Sequence, residues 1–370
     1  MKALAIYPAE RDIRIIQVPE PRLDAADSVL IHPIEVGICG TDRDIVRFEL
    51  GAPPPGLDYL VMGHETIGEV VEVGRGVEGL RKGDLVVPTV RRPCSEPGCI
   101  PCRIEQSDMC FTGRFTERGI RAESGYMTEL IVERPRFLAR VPPTLRGVAV
   151  MVEPLTLTEK ALAELVQIQA RLPWGCPPEA GAGEYGCRSA LVLGAGPIGF
   201  LAALALSDMG FRTHLVSRND PGDPKVAVLG KLGITYFSSK DKSPSEVAAA
   251  IGNIDVILEA AGSSELAFEY LPALGVNGIY LMTGVPGPGN RVAIDTDLAM
   301  RRLVLNNQAV VGVVNANIRA FRSAVERLGH FARKYPDALQ SFITARVPLE
   351  AFSQHLLAKQ RGEIKTVLTL

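Results

Sequence analysis

The sequence lacks an excess of either charge: 40 Lys plus Arg stand against 42 Asp plus Glu, for a net charge of −2. No general field therefore draws in a polyanion or an acidic membrane, and bulk nucleic-acid binding is disfavoured. The start, Met1 to Asp12, lacks an apolar segment long enough for a signal peptide and reads as a first strand, so the expected location is the cytoplasm. An unbroken membrane-spanning run is also missing. The nearest approach, Ala190 to Phe211, is interrupted by Gly194, Gly196, Pro197 and Gly199, as a strand-turn-helix would be. There is no internal repeat or low-complexity tract, and an apolar fraction of 46% with 22% charged residues excludes a disordered or collagen-like chain.

At 370 residues the chain is too long for one core and too short for three ordinary domains, so two are expected. The first 145 residues hold short β-like runs, such as Ser28 to Pro33 and Gly68 to Gly74, separated by turn residues. They read as a barrel-like β domain. Apolar residues at helical spacing predict a helix between Pro154 and Leu172, followed by a Pro/Gly-dense connection from Pro173 to Gly186 that is taken as a domain boundary. From Ser189 strands and helices alternate, which implies a parallel sheet with crossover helices. The fold class is α/β, a β-rich domain plus a doubly wound parallel-sheet domain, divided as 1–172 and 173–315, with 316–370 a tail whose partner the pattern does not show. That tail holds a helical run, Ala320 to Gly329, and a closing β-like run, Lys365 to Thr369.

Three groups of residues carry chemistry. Gly194, Ala195, Gly196, Pro197, Ile198 and Gly199 follow a buried-type strand and open an apolar helix. Glycines there permit a tight turn and close approach of a pyrophosphate to the amides at the helix start. The next strand ends at Val216 with Ser217, Arg218 and Asn219, where NAD readers place an acidic residue. A hydroxyl beside a guanidinium suits a 2′-phosphate, so the expected cofactor is NADP, with NAD as a second acceptor, Asp220 serving it if the strand ends later.

Cys94, Cys99, Cys102 and Cys110 place four thiols within 17 residues, bent by Pro and Gly, which matches a closed tetrahedral zinc site that holds a loop without chemistry of its own. Seven cysteines in a chain without an export signal are expected to stay reduced, and Cys176 and Cys187 are read as ordinary thiols. The third group is dispersed: Cys39 and Thr41 in Gly37-Ile-Cys-Gly-Thr-Asp42, His64 and Glu65 in Gly63-His-Glu65, and Glu153. A thiolate, an imidazole and carboxylates are a catalytic zinc's donor set, but spacing alone does not reveal one, and taken singly each residue is more often a buried or solvated structural one.

These motifs, in this order, resemble the zinc-containing medium-chain alcohol dehydrogenases along nearly the whole chain. Pro88 to Cys94, Val152 to Lys160 and Val313 to Asn317 are similar to the archaeal-type glucose 1-dehydrogenases. The resemblance implies a GroES-like catalytic domain completed by the C-terminal tail, a Rossmann domain, and an active site in the cleft between them. It implies that Cys39, His64 and Glu65 ligate a catalytic zinc, with Glu153 a fourth ligand or a substrate-facing carboxylate, and that a second, structural zinc sits in the four-cysteine loop. Thr41 would stand beside the reacting hydroxyl; Glu117 and Asn315 would contact the sugar; Thr283, Gly284, Val285, Val313, Val314 and Asn315 would border the nicotinamide. The implied reaction is oxidation of C1 of D-glucose, or of aldoses such as galactose, to the lactone, by a homo-tetramer that binds neither nucleic acid nor membrane. Other zinc polyol or alcohol dehydrogenases, acting on sorbitol or threonine, share every motif. A zinc-free quinone-reductase relative lacks the metal ligands, and a zinc module gripping nucleic acid is the non-enzymic alternative.

Overall fold

The runs Val29–Gly37 and Lys365–Thr369 lie at opposite ends of the chain, yet they pair antiparallel, with Val367 opposite Gly37 and Thr369 opposite Glu35. In this computed structural model, which describes residues 1–23, 25–177, 184–287, 289 and 291–370, the tail thereby completes the first domain. The chain divides into two units, Met1–Thr156 with Asn315–Leu370, and Leu157–Val314. The first junction falls within the helix Val152–Gln169, ahead of the expected boundary at 172. The end of that helix belongs with the second unit because Gln169 Nε2 and Arg171 Nη2 both donate to the carbonyl of Asn277, each at 3.1 Å. Residues 178–183 of the expected connection lie outside the described residues.

In the first unit a seven-stranded sheet runs in the order Leu138–Val141, Leu85–Pro88, Glu65–Val73, Val29–Gly37, Lys365–Thr369, Ile343–Pro348, with Ile131–Glu133 also paired to Val29–Gly37. Val29, Ile31 and Val36 point into a core shared with Leu4, Val70, Val86, Tyr126 and Leu368, the one-sided burial expected of an antiparallel sheet. The register sets Gly37 opposite Glu65. A Cβ at Gly37 would stand 2.2 Å from Glu65 Oε2, so only glycine leaves room for that carboxylate.

The second unit is a six-stranded parallel sheet in the order Thr235–Ser238, Arg212–Ser217, Ser189–Leu193, Val256–Glu259, Ile279–Met282, Ala309–Gly312. Its central strand Ser189–Leu193 is buried throughout, as helices on both faces require. Among the described residues no helix is long and apolar enough to cross a membrane.

One expectation is corrected here. Cys176 and Cys187 form a disulfide, their Cα atoms 5.5 Å apart, where reduced thiols had been expected. Composition could not foresee that Cys176 and Cys187 come together, with the Cys187 amide against Cys176 Sγ at 3.2 Å.

A buried ionic cluster supports the β-rich unit. Arg92 donates to Glu133, to the Thr89 carbonyl at 2.8 Å and to Tyr126 at 3.2 Å, while Arg118 reaches the same Glu133 oxygen at 3.1 Å. Burial pushes the Glu133 carboxyl up, but the guanidiniums of Arg92 and Arg118 outweigh it and hold the carboxyl below its usual 4.5. A carboxylate depressed in the folded state stabilises the fold above its unfolded pKa, and that contribution is lost as pH falls through the folded value. Glu133→Gln is therefore expected to cost about 3–5 kcal/mol at pH 7, because Arg92 stays buried with a weakened partner. Its Tm should also fall less steeply than the parent's as pH drops below 4.5; parallel Tm–pH curves would refute the linkage.

Candidate active site and metal centres

Cys39 follows the strand Val29–Gly37 and heads the helix Gly40–Val46. Its amide donates to Asp42 Oδ2 at 2.8 Å in a reciprocal cap that fixes the side chain at the sheet's end. Opposite, the register brings Glu65, and with it His64, to the same end. One donor atom each from Cys39, His64 and Glu65 falls within 4.8 Å of the others, so the three residues that only resemblance had joined are brought together. Thr41 Oγ1 stands 3.9 Å from Cys39 Sγ.

The polar surroundings were less legible. His64 Nδ1 lies 3.5 Å from Asp42 Oδ1, and neither atom finds a geometrically sound hydrogen bond. Burial lowers the imidazole's pKa, but the carboxylate of Asp42 and the thiol of Cys39 more than offset it, and the ring is held well above its ordinary value. Such an imidazole calls for positive charge on its other nitrogen, which a metal ion supplies as well as a proton does. Lys365, buried, donates to the Ile38 carbonyl at 3.1 Å and to Glu65 Oε2, which leaves the other Glu65 oxygen for a metal. Lys365 and Asp42 were not singled out from sequence. The available signal was a lone lysine opening a closing strand without any other charge.

Glu153 is not in the three-residue donor group. Burial, and then the charge of Glu65, push its carboxyl up to about 7, while His64 and Lys365 pull the other way. Glu153 is only partly buried as a residue, with its carboxyl next to the centre and held near neutrality.

The thiols of Cys94, Cys99, Cys102 and Cys110 also converge within 4.8 Å, with Cys99 and Cys110 Sγ at 3.8 Å. Burial keeps the Cys102 thiol protonated, whereas hydrogen bonds from Thr112 overcome burial and bring Cys110 down to about 6. Four sulfurs sharing protons this unevenly fit one dication that deprotonates all of them, and both donor sets suit zinc. From the same loop Asp108 turns back to accept Arg91 Nη1 through its carbonyl and Asn317 Nδ2 through its carboxylate, both at 3.1 Å. Glu117 and Asn315, expected at the sugar, meet directly: Asn315 Nδ2 donates to Glu117 Oε1 at 2.6 Å.

In the parallel-sheet unit Gly196 heads the helix Pro197–Asp208 with no side-chain cap, leaving the first amides free for an anion. A Cβ on Gly199 would lie 2.0 Å from the Gly194 carbonyl, which explains the closing glycine of the motif. Ile198 lies in the first helical turn, and Ala195 is buried in the preceding loop. Ser217 ends its strand buried, its hydroxyl held by Asn219 Oδ1 at 2.9 Å and the Tyr236 hydroxyl at 3.0 Å. Arg218 projects into solvent, and Asp220 is engaged by Lys240 at 2.8 Å. Glu259, also missed in the sequence, is buried and organises two loops: it accepts the amides of Ala261 and Gly262 at 2.7 Å and of Gly284 at 3.1 Å, and its carbonyl accepts Thr283. Val285 and Val314 are exposed, whereas Val313 is buried.

Comparison with known proteins agrees with this anatomy. Residues 25–143 match the alcohol dehydrogenase GroES-like domain and residues 146–370 the glucose dehydrogenase C-terminus. The chain is 40% identical to a glucose 1-dehydrogenase of Methanocella arvoryzae, covering 96% of each chain. It is 36% identical to that of Metallosphaera sedula over 100% of this chain and 98% of the other. The structure of Haloferax mediterranei glucose dehydrogenase in complex with NADP, Zn and gluconolactone superposes with a TM-score of 0.88 at 30% identity, covering 100% and 99% of the two chains. Domain make-up, metal-donor sets and full-length similarity together place this chain in the glucose 1-dehydrogenase family of zinc-containing, GroES-like alcohol dehydrogenases.

Proposed function

We propose that this chain oxidises the C1 hydroxyl of D-glucose to the lactone with NADP as the hydride acceptor, NAD and other aldoses such as galactose being further substrates. The carrying observation is the Cys39, His64 and Glu65 donor set, within 4.8 Å and backed by Asp42 and Lys365. Zinc, when bound there, supplies a Lewis acid that lowers the pKa of a coordinated hydroxyl, as it lowers that of water from 15.7 to about 7. Thr41, beside Cys39, takes the departing proton toward solvent. Glu153 faces the substrate, while Glu117 and Asn315 hold sugar hydroxyls. The buried Lys365 holds Glu65 in place by donating to its Oε2. Turnover of a panel of glucose, galactose, sorbitol and threonine with NADP and with NAD tests the reading; preference for sorbitol or threonine would overturn it.

The fit to NADP rests on the open amides behind Gly196 and on Arg218, an exposed guanidinium at the strand end with no acidic partner among the described residues. With Asp220 paired to Lys240, the acidic side chain that would hold an NAD ribose is engaged elsewhere. Arg218→Ala is expected to raise KM for NADP about tenfold to a hundredfold, the worth of a charge-assisted phosphate contact, and to leave KM for NAD unchanged. Equal effects on both cofactors would remove Arg218 from the 2′-phosphate site.

The chain is further assigned to a homo-oligomer, a tetramer by subfamily likeness. In support, Ala309–Gly312 is an edge strand, and Met300, Val304 and Leu305 on the helix Thr296–Leu305 are exposed. Sedimentation as a monomer would refute it.

A further inference from the structure

Arg91 and Glu117 face each other across a two-strand ladder, Arg91–Arg92 against Thr116–Arg118. A guanidinium normally grips a carboxylate through both oxygens. Here Arg91 Nε, at 3.1 Å, and Nη2, at 3.0 Å, converge on Oε1 alone, where Asn315 Nδ2 adds a third bond. Glu117 Oε2 takes no hydrogen bond from the described residues, although the side chain is only 12% exposed. The guanidinium is itself fixed: Nη1 donates to the Asp108 carbonyl and its carbon lies 3.7 Å from the centre of the Phe115 ring. Asp108 belongs to the four-cysteine loop, and through Asn317 it also reaches the segment that carries Asn315.

We infer that Arg91 is the positioning residue for sugar recognition: by saturating Oε1 it presents Glu117 Oε2 alone to a hydroxyl of the polyhydroxylated substrate, and it couples that carboxylate to the four-cysteine loop. This rests on Glu117 and Asn315 contacting the sugar. Arg91 does not touch the substrate. It removes the freedom of a group that does, so its loss weakens ground-state and transition-state binding together.

Steady-state kinetics on the zinc-loaded enzyme, with glucose varied at saturating NADP, test this. Arg91→Gln and Glu117→Gln are each expected to raise KM for glucose about tenfold to a hundredfold, with kcat changed less than about threefold. Zinc content and KM for NADP should stay at parental values. The double variant should be no worse than the weaker single, because both substitutions disable one unit. Additive losses, or a parental KM in Arg91→Gln while Glu117→Gln is impaired, would overturn the inference and spare the assignment of Glu117. A parental KM in Glu117→Gln would instead remove that assignment and the inference with it. Should Arg91→Gln not fold, Phe115→Leu removes the ring beneath the guanidinium without altering charge. A rise in glucose KM alone supports the inference, and no rise rejects it.

Discussion

Cys39→Ser is expected to leave a folded protein that has lost its catalytic metal and at least roughly a thousandfold in kcat/KM for glucose. The fold survives because Cys39 occupies the N-cap of the helix Gly40–Val46, where its amide is already satisfied by Asp42, and serine is the better cap. The chemistry does not survive, since a hydroxyl is not ionised at neutral pH and is a poor substitute for a thiolate donor. Metal analysis should read one zinc per chain lost, with the other set of ligands, Cys94, Cys99, Cys102 and Cys110, still loaded. His64→Ala should abolish activity as well, but it also leaves Asp42 buried without its imidazole, so lost stability would accompany lost metal. Undiminished glucose-dependent NADPH formation in Cys39→Ser would end the assignment of this centre.

How far the sequence could be read depended on how local each signal was. The glycine motif and the four-cysteine loop are contiguous, so residue type and spacing were enough. The helix predicted from Ala320 to Gly329 runs from Ile318 to Lys334, since Asn317 caps two amides at its start and Pro336 follows its end. Cys39, His64 and Glu65 are set together by a strand register, Gly37 opposite Glu65, that no spacing reveals; only family resemblance anticipated it. Lys365 was invisible for the same reason on a longer scale, since it reaches Glu65 only because the last strand pairs with Val29–Gly37. Arg91 and Glu259 were given no role, because burial and partners are not visible in a sequence, and the Cys176–Cys187 bridge was missed because the thiols were expected to stay reduced.

Cys102→Ser tests the other centre by a different readout, because here the metal replaces a core. The loop from Cys94 to Cys110 has only a four-residue helix, Ile100–Arg103, and a single 3₁₀ turn, Ser107–Met109, while Ile100, Ile104 and Met109 are exposed. So little apolar burial does not offset the backbone entropy of ordering such a segment, which leaves ligation to supply the difference. Loss of one thiolate is expected to cost about 3 kcal/mol or more, a Tm lower by roughly 10 °C, together with one zinc per chain. The damage should also reach sugar binding. Asp108 ties this loop to Arg91 and Asn317, and thereby to Glu117 and Asn315, so KM for glucose should rise in Cys102→Ser while the zinc at Cys39 and His64 stays bound. An unchanged Tm and metal content would mean that the four sulfurs are no more than packed thiols.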